Sequence, residues 1–314
     1  MPKNELFSIV ICTHNRAELL CGAIESVVGQ NFTRKDFELI IVDNASSDHT
    51  RDVVRKFCDA YSNIRYVMEA NLGLSQARNR GMREARGEYV GYLDDDAKAS
   101  PTWLSAACYV ADRIHPEAFG GPYLPFYLAS KPAWFKDEYG SHIQGSEPRM
   151  LMDNEYLDGG NMFVRRDVLE AFDGFHSGFG MKGKKVAYGE ETHFFIRVRV
   201  ARPETVLYYH PEVLIYHLVR PEKYNFWLRA RELFVFGLCA QRIFSDGVPT
   251  SLRASMEQLA VICINITRGL TIEFLRRDTK QYPYYQNYLY EKLVPLFYYL
   301  GKCFENISQQ FREK

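Results

Sequence analysis

Three consecutive carboxylates, Asp94-Asp95-Asp96, follow directly on the apolar run Tyr89-Val90-Gly91-Tyr92-Leu93. Ionised carboxylates at the exit of a core strand are costly unless a cation neutralises them. A cluster of oxygen donors suits a hard divalent ion, Mg2+ or Mn2+. The competing reading is a solvated acidic turn. Two more polar clusters close apolar runs upstream. Thr13-His14-Asn15-Arg16 follows residues 7–12, and Asp43-Asn44-Ala45-Ser46-Ser47-Asp48 follows residues 37–42.

The elements that must position these clusters are legible in the hydrophobic pattern. Residues 7–12, 37–42, 64–68 and 89–93 are short runs rich in β-formers, separated by helical segments at 17–28, after Asp48 to about 61, and about 74–86. Gly87 terminates the third helix. This β-α-β-α-β-α-β order predicts a mostly parallel sheet with helices on both faces. Ligands in such sheets sit at the carboxyl ends of the strands. Three of the four strand ends are polar, so they are expected to form one site.

Further on, Ser100-Pro101 opens a helix to about 114. Residues 119–157 are expected to be loop, a strand covers 162–164, and a short helix covers 166–172. The glycine-rich stretch 174–185 reads as a mobile lid. Gly189-Glu190-Glu191-Thr192 opens a helix to about 200, and strands at 206–209 and 213–216 precede His217. Beyond residue 221 three long helices are expected, at 222–244, 250–277 and 284–311. The expected division is a catalytic domain, 1–220, and a helical appendage, 221–314. The appendage either packs on the catalytic domain or faces a membrane or partner protein.

Composition narrows the class. The 314 residues carry 39 basic and 39 acidic side chains, a balance unlike that of a dedicated nucleic-acid binder. Seven scattered cysteines without a C-x-x-C pair read as reduced thiols rather than disulfides or a zinc site. Residues 1–6 show no apolar signal core, and no uninterrupted apolar run reaches the length of a membrane span. The expected location is the cytoplasm, with peripheral attachment to the inner membrane face through the C-terminal helices as an option.

In their order along residues 5–240 or so, the motifs resemble those of the inverting family 2 glycosyltransferases, which have the GT-A fold. The pieces are residues 9–16, residues 42–48, Asn71-Leu72-Gly73 with residues 77–81, Gly87-Glu88-Tyr89 with residues 93–96, Gly159-Gly160-Asn161 with Arg165-Arg166, Gly174-Phe175, and Gly189-Glu190-Glu191. The resemblance implies a nucleotide-diphosphate sugar donor, most often a UDP-sugar. It also implies a saccharide, lipid-linked or protein-linked acceptor and a Mg2+ or Mn2+ cofactor, in cell-surface polysaccharide, lipopolysaccharide or other glycoconjugate assembly. The C-terminal helices lie outside it.

Residue by residue, Thr13 and Asn15 would hydrogen-bond the base or ribose, and Asp43 would accept from a ring NH of uracil or guanine. Asp48 reads as a helix cap. Arg78 and Asn79 would lie near the donor. In an extended strand residues i and i+2 share a face, so Asp94 and Asp96 are expected to look into the cleft together. Asp96 would hold the metal, Asp94 the ribose or Arg78, and Asp95 the sugar or a water on the metal. His217 resembles a downstream family histidine that completes the metal site, against a purely structural reading. Gly159, Gly160, Asn161 and Glu190 would line the acceptor side. Glu191 stands where the family usually has aspartate and would be the general base, with Glu190 as its rival. Trp134, Phe175 and Phe179 would stack on sugar or pack in the core.

Other classes fit less well. A nicotinamide-dependent oxidoreductase needs G-x-G-x-x-G after the first strand, and a nucleotidyltransferase needs a glycine-rich basic loop there. Thr13-His14-Asn15-Arg16 is neither. The remaining alternative is a non-catalytic nucleotide-sugar-binding relative or scaffold.

Overall fold

The computed structural model describes residues 6–31, 37–183, 186–244 and 251–312. Lys184, Lys185 and Thr250, parts of the expected lid and second long helix, lie outside them. The chain divides into two compact units.

The first unit comprises Met1–Phe126, Gly140–Lys184 and Glu190–Leu218. Its strands are β1 (Phe7–Thr13), β2 (Phe37–Asp43), β3 (Ile64–Met68), β4 (Tyr89–Asp94), β5 (Ala97–Ala99), β6 (Ala118–Gly120), β7 (Tyr123–Phe126), β8 (Arg149–Met150), β9 (Asn161–Arg165), β10 (Leu207–Tyr209) and β11 (Ile215–Leu218). Its helices are α1 (Ala17–Val28), α2 (Thr50–Ala60), α3 (Leu74–Glu84), α4 (Trp103–Arg113), α5 (Arg166–Ala171) and α6 (Glu190–Ala201). Eight strands form one sheet in the order β3-β2-β1-β4-β9-β6-β10-β8, and β5-β11-β7 form a second. β1 runs parallel to both β2 and β4. The turn to antiparallel comes at β9, which pairs with β4 and β6.

Both faces of the large sheet are covered, which is why its strands read as continuous apolar runs rather than alternating ones. Ile9 and Ile11 pack with Leu20, Ile24, Trp103 and Leu104 on one side. Val10 packs with Ala77, Met82, Leu169, Phe194 and Val198 on the other. The register sets Thr13 beside Asp43, and Cys12 beside Asp94. The three polar strand ends therefore line up at one edge of the sheet.

The loop expected over 119–157 instead contains β6, β7 and β8 and a 3-10 turn at Asp137–Gly140. These strands are two to four residues long, too short for a period of two to declare itself. The strand expected to end before His217 includes it, because β11 pairs with β5 through His217 and Ala97.

The second unit comprises Tyr127–Tyr139, Lys185–Gly189 and Val219–Lys314. Its helices are α7 (Phe226–Phe244), α8 (Leu252–Leu270), α9 (Ile272–Leu275), α10 (Tyr285–Tyr288) and α11 (Val294–Arg312). Trp134, Phe135, Tyr290 and Val294 form an aromatic core. The second expected helix breaks at Thr271 (φ −118°, ψ −92°). The third widens to a π-turn at Leu289–Leu293, just before Pro295, which has no N–H to continue the ladder. By length and composition the segment Leu252–Leu275 is apolar enough to cross a membrane. Polar residues interspersed along it, such as Gln258, Asn265 and Thr267, keep it from forming an uninterrupted apolar run.

Candidate active site

The acidic triplet does not continue β4. The strand ends at Asp94, and Asp95 and Asp96 form the turn into β5. Asp94 and Asp96 therefore meet through a turn, and not through the i, i+2 geometry of an extended strand. The pairing of β5 with β11 then delivers the third member, with the Leu218 N–H donating to the Asp96 carbonyl at 3.0 Å. His217 Nε2 lies 3.4 Å from Asp96 Oδ1 and 3.7 Å from Asp94 Oδ2. One ligand atom from each of Asp94, Asp96 and His217 falls within 4.8 Å of the others.

This donor set fits a divalent cation. His217 Nδ1 lies 3.2 Å from the Leu218 carbonyl. In the neutral tautomer that donates there, Nε2 would offer its lone pair to an ion shared with the two carboxylates. Asp94, Asp96 and His217 are close enough together to share one cation. The structure thus places Asp94 with the metal donors as well as near Arg78.

Asp95 turns the other way. It accepts from Thr13 Oγ1 at 2.8 Å and from Arg16 Nη1 at 2.8 Å, and Arg16 also approaches Asp96 at 3.6 Å. Burial, opposed by Arg16 and reinforced by the charge of Asp96, lifts the Asp95 carboxyl to about 6. Desolvation also acts on Asp94, but the His217 hydrogen bond and the Arg78 charge outweigh it and hold that carboxyl at about 2. Nothing local in the sequence marks Arg16, because it is the β1–β4 pairing that brings its loop against the triplet.

Arg78 is the buried cation of the site. It donates to Glu190 Oε1 at 2.6 Å and lies 3.5 Å from Asp94 Oδ1. The guanidinium is desolvated, yet Glu190 and Asp94 push its pKa upward overall. Glu190 is thereby engaged in a buried ion pair. Burial, with repulsion from Glu190 and only partial relief from Arg78, raises the Glu191 carboxyl well above the ordinary glutamate range. Its position in the first turn of α6 places it at the positive end of the helix dipole.

On the nucleotide side, Asp43 accepts from Ser46 N–H at 2.9 Å and Tyr66 Oη at 2.8 Å, and its carboxylate keeps lone pairs for a further donor. Tyr66, held beside it, was not singled out in the sequence. Asn15, at φ 54° in the left-handed region that asparagine tolerates, accepts from the Ser47 N–H at 2.7 Å and stitches the β1 and β2 loops together. Asp48 caps α2 through Thr50 and also accepts from Ala17 N–H. Five of the side chains considered for the donor or the sugar already have partners within the protein. The Thr13 hydroxyl is spent on Asp95. The Asn79 amide holds the Phe175 backbone from both sides, at 2.7 and 2.8 Å. Phe175 is core, edge-on to Tyr92, Trp134 sits in the second unit's aromatic core, and Phe179 lies against His193.

Gly159 and Gly160 are explained by what they touch. A Cβ at Gly159 would lie 2.6 Å from Arg78 Nη1, and one at Gly160 would overlap the Asp94 carboxylate. They admit these two side chains into the site rather than merely opening the acceptor side. Asn161, expected on that side, points inward. It donates to the Pro122 and Val213 carbonyls at 3.1 and 2.8 Å and accepts from the Trp103 indole at 2.9 Å. Asn161→Ala should destabilise the fold by about 3 kcal/mol or more, since three buried partners lose their bond. A chemical-denaturation midpoint close to wild type would refute that role. His142, also missed, donates to Asp158, whose charge reaches Glu191. Its ring lies 5.7 Å from that of Tyr123, which is 5.5 Å from His217. An Asp-His pair separated by 16 residues in irregular chain leaves no periodic signal.

Fold and site together define a GT-A nucleotide-sugar transferase architecture. A mannosyltransferase from Pyrobaculum calidifontis, solved with GDP-Man and Mn2+, superposes with a TM-score of 0.62 at 16% identity, covering 96% of this chain and 87% of that one. Residues 8–172 match the family described as Glycosyl transferase family 2, and the chain belongs to that family. The glucosyl-dolichyl phosphate glucuronosyltransferase of Haloferax volcanii is 30% identical over 210 residues, which is 64% of this chain and 66% of that protein. The cholesterol galactosyltransferase of Borreliella burgdorferi is 40% identical over 97 residues, 31% of this chain and 26% of that protein. The matches thus span less than two thirds of either relative.

Proposed function

We propose that the protein is an inverting, divalent-metal-dependent glycosyltransferase. It takes a sugar from a nucleotide-diphosphate donor, a UDP-sugar in the first instance, and places it on an acceptor hydroxyl in glycoconjugate assembly. The convergence of Asp94, Asp96 and His217 at the sheet edge that also holds Asp43 and Arg78 carries this reading. The names of the two relatives, one acting on a dolichyl phosphate and one on cholesterol, favour a lipid-borne acceptor.

Asp43 accepts from the base, and the backbone around Asn15 and Ser46 lines the ribose. Arg78 fixes Glu190 and Asp94, so that the carboxylates hold one arrangement before the donor arrives. Glu191 takes the proton from the acceptor hydroxyl as that oxygen bonds to the anomeric carbon. The bond from that carbon to the diphosphate oxygen breaks, with inversion. A bound Mg2+ or Mn2+, held by Asp94, Asp96 and His217, would supply charge stabilisation for the departing diphosphate. Arg16 keeps Asp95 turned away from that position.

The test is thermal stabilisation by a panel of UDP-, GDP- and dTDP-sugars, with and without Mn2+. Stabilisation by at least one of them, enhanced by the ion, is expected. No response to any of them would overturn the reading. The raised Glu191 carboxyl adds a pH signature. The base works only when deprotonated, so kcat/KM should fall on the acid side at a pH well above the ordinary glutamate pKa. An acid limb at the free-glutamate value would remove Glu191 from this role.

A further inference from the structure

We propose that the outer face of α8 and α9 docks on an anionic lipid surface, lying in the interfacial plane without crossing it. Only 6% of the apolar window within Leu252–Leu275 is buried. Met256, Val261, Ile264 and Ile272 are each at least half exposed, and Leu275 is 81% exposed. Contiguous apolar surface on this scale marks an interaction site.

The opposite face is fixed within the helical unit. Asn306 donates to Ser255 Oγ at 2.8 Å, and Tyr288 donates to the Gly269 carbonyl at 3.1 Å. A helix held along its length in this way presents one side and does not thread a bilayer alone. The break at Thr271 also interrupts it.

Charge selects the occupant. Arg253 pairs with Glu257 and Arg268 with Glu273, so the stretch between them, containing Ala260, Val261, Cys263 and Ile264, is free of charged side chains. Past Leu275 come Arg276, Arg277 and Lys280 against a single acid, Asp278. Arg277 packs over the Phe274 ring at 4.7 Å, and Tyr285 lies 6.0 Å from the same ring. An exposed leucine ringed by arginines and by half-exposed Tyr284 and Tyr285 is the composition of a membrane-interface anchor. In a parallel two-fold dimer of α8 the same face would set Arg268 against Arg268, a like-charge contact.

The protein's net charge is zero, so attraction to an anionic surface must come from a local patch rather than from the molecule as a whole. The inference needs no donor or acceptor, so it stands or falls separately from the transfer chemistry. The experiment is sedimentation of the full chain with phosphatidylcholine vesicles and with vesicles containing one part in three phosphatidylglycerol. Binding to the anionic vesicles, weakened by salt, is expected. Val261→Glu with Ile264→Glu should weaken it about tenfold or more, and the surface pair Arg276→Glu with Lys280→Glu should weaken it about tenfold. All four positions are exposed, so the thermal melts should match wild type. Absence of vesicle binding, or binding indifferent to both pairs, overturns the proposal. So does light scattering that shows a dimer split by the first pair, which would make this face a contact between two copies.

Discussion

Glu191→Gln should lower sugar transfer by about a thousandfold, within the range a positioned general base supplies, while leaving donor binding near wild type. Glutamine keeps the size and the polar contacts of the side chain and loses only its capacity to accept the proton. The substitution should also stabilise the fold at neutral pH. The folded carboxyl is raised above its unfolded value by burial and by Glu190. Between those two values the folded state binds more protons than the unfolded chain, so stability falls as pH rises through that window. Above it the wild type carries the cost of a buried charge, which the variant lacks. Melting curves of the two proteins should therefore diverge at pH 7 and converge at pH 4. Retained turnover, with donor stabilisation intact, would move the base to another residue. Glu190→Gln is the control. It should disturb Arg78, and with it both donor affinity and stability, because it breaks a buried ion pair.

Asp96→Ala should abolish the Mn2+-dependent part of donor stabilisation and cut kcat/KM about a hundredfold or more, the scale of losing one electrostatic element aimed at the leaving group. The apoprotein should remain folded, since the substitution removes one of two adjacent buried carboxylates. His217→Ala should weaken the metal response in the same direction, leaving the two carboxylates. His217→Gln, which offers an oxygen near the same place, should restore part of it. Isothermal titration with Mn2+ in the presence of the donor separates these outcomes. A metal response equal to wild type in Asp96→Ala would exclude the Asp94-Asp96-His217 grouping as the ion's site.

Much of the first hundred residues was legible in order. Continuous apolar runs separated by helical segments imply a sheet covered on both sides, and β1 to β4 lie where those runs fall. Polar strand ends imply a site at one edge, and the register of β1 with β2 and β4 brings Thr13, Asp43 and Asp94 there. Legibility ended where elements shortened. β5, β6, β7 and β8 are too brief to leave a period, yet β5 is what pairs with β11 and so brings His217 to the triplet. Pairings between distant segments were equally hidden. Arg16 with Asp95, Trp103 with Asn161 and His142 with Asp158 depend on which strands become neighbours.

By itself, the sequence determined the class of chemistry and its ingredients: three carboxylates after a core strand, a Glu-Glu pair opening a helix, and glycines at 159 and 160. Those follow from local rules of period, capping and charge. Only the tertiary structure decided the division of labour. A turn, not an extended strand, brings Asp94 and Asp96 together. The β5–β11 pairing adds His217. Arg16 draws Asp95 aside, and Arg78 pairs with Glu190, the neighbour of Glu191. The physical reason is that burial and counter-charge fix a carboxylate's role, and both are properties of what the folded chain places beside it.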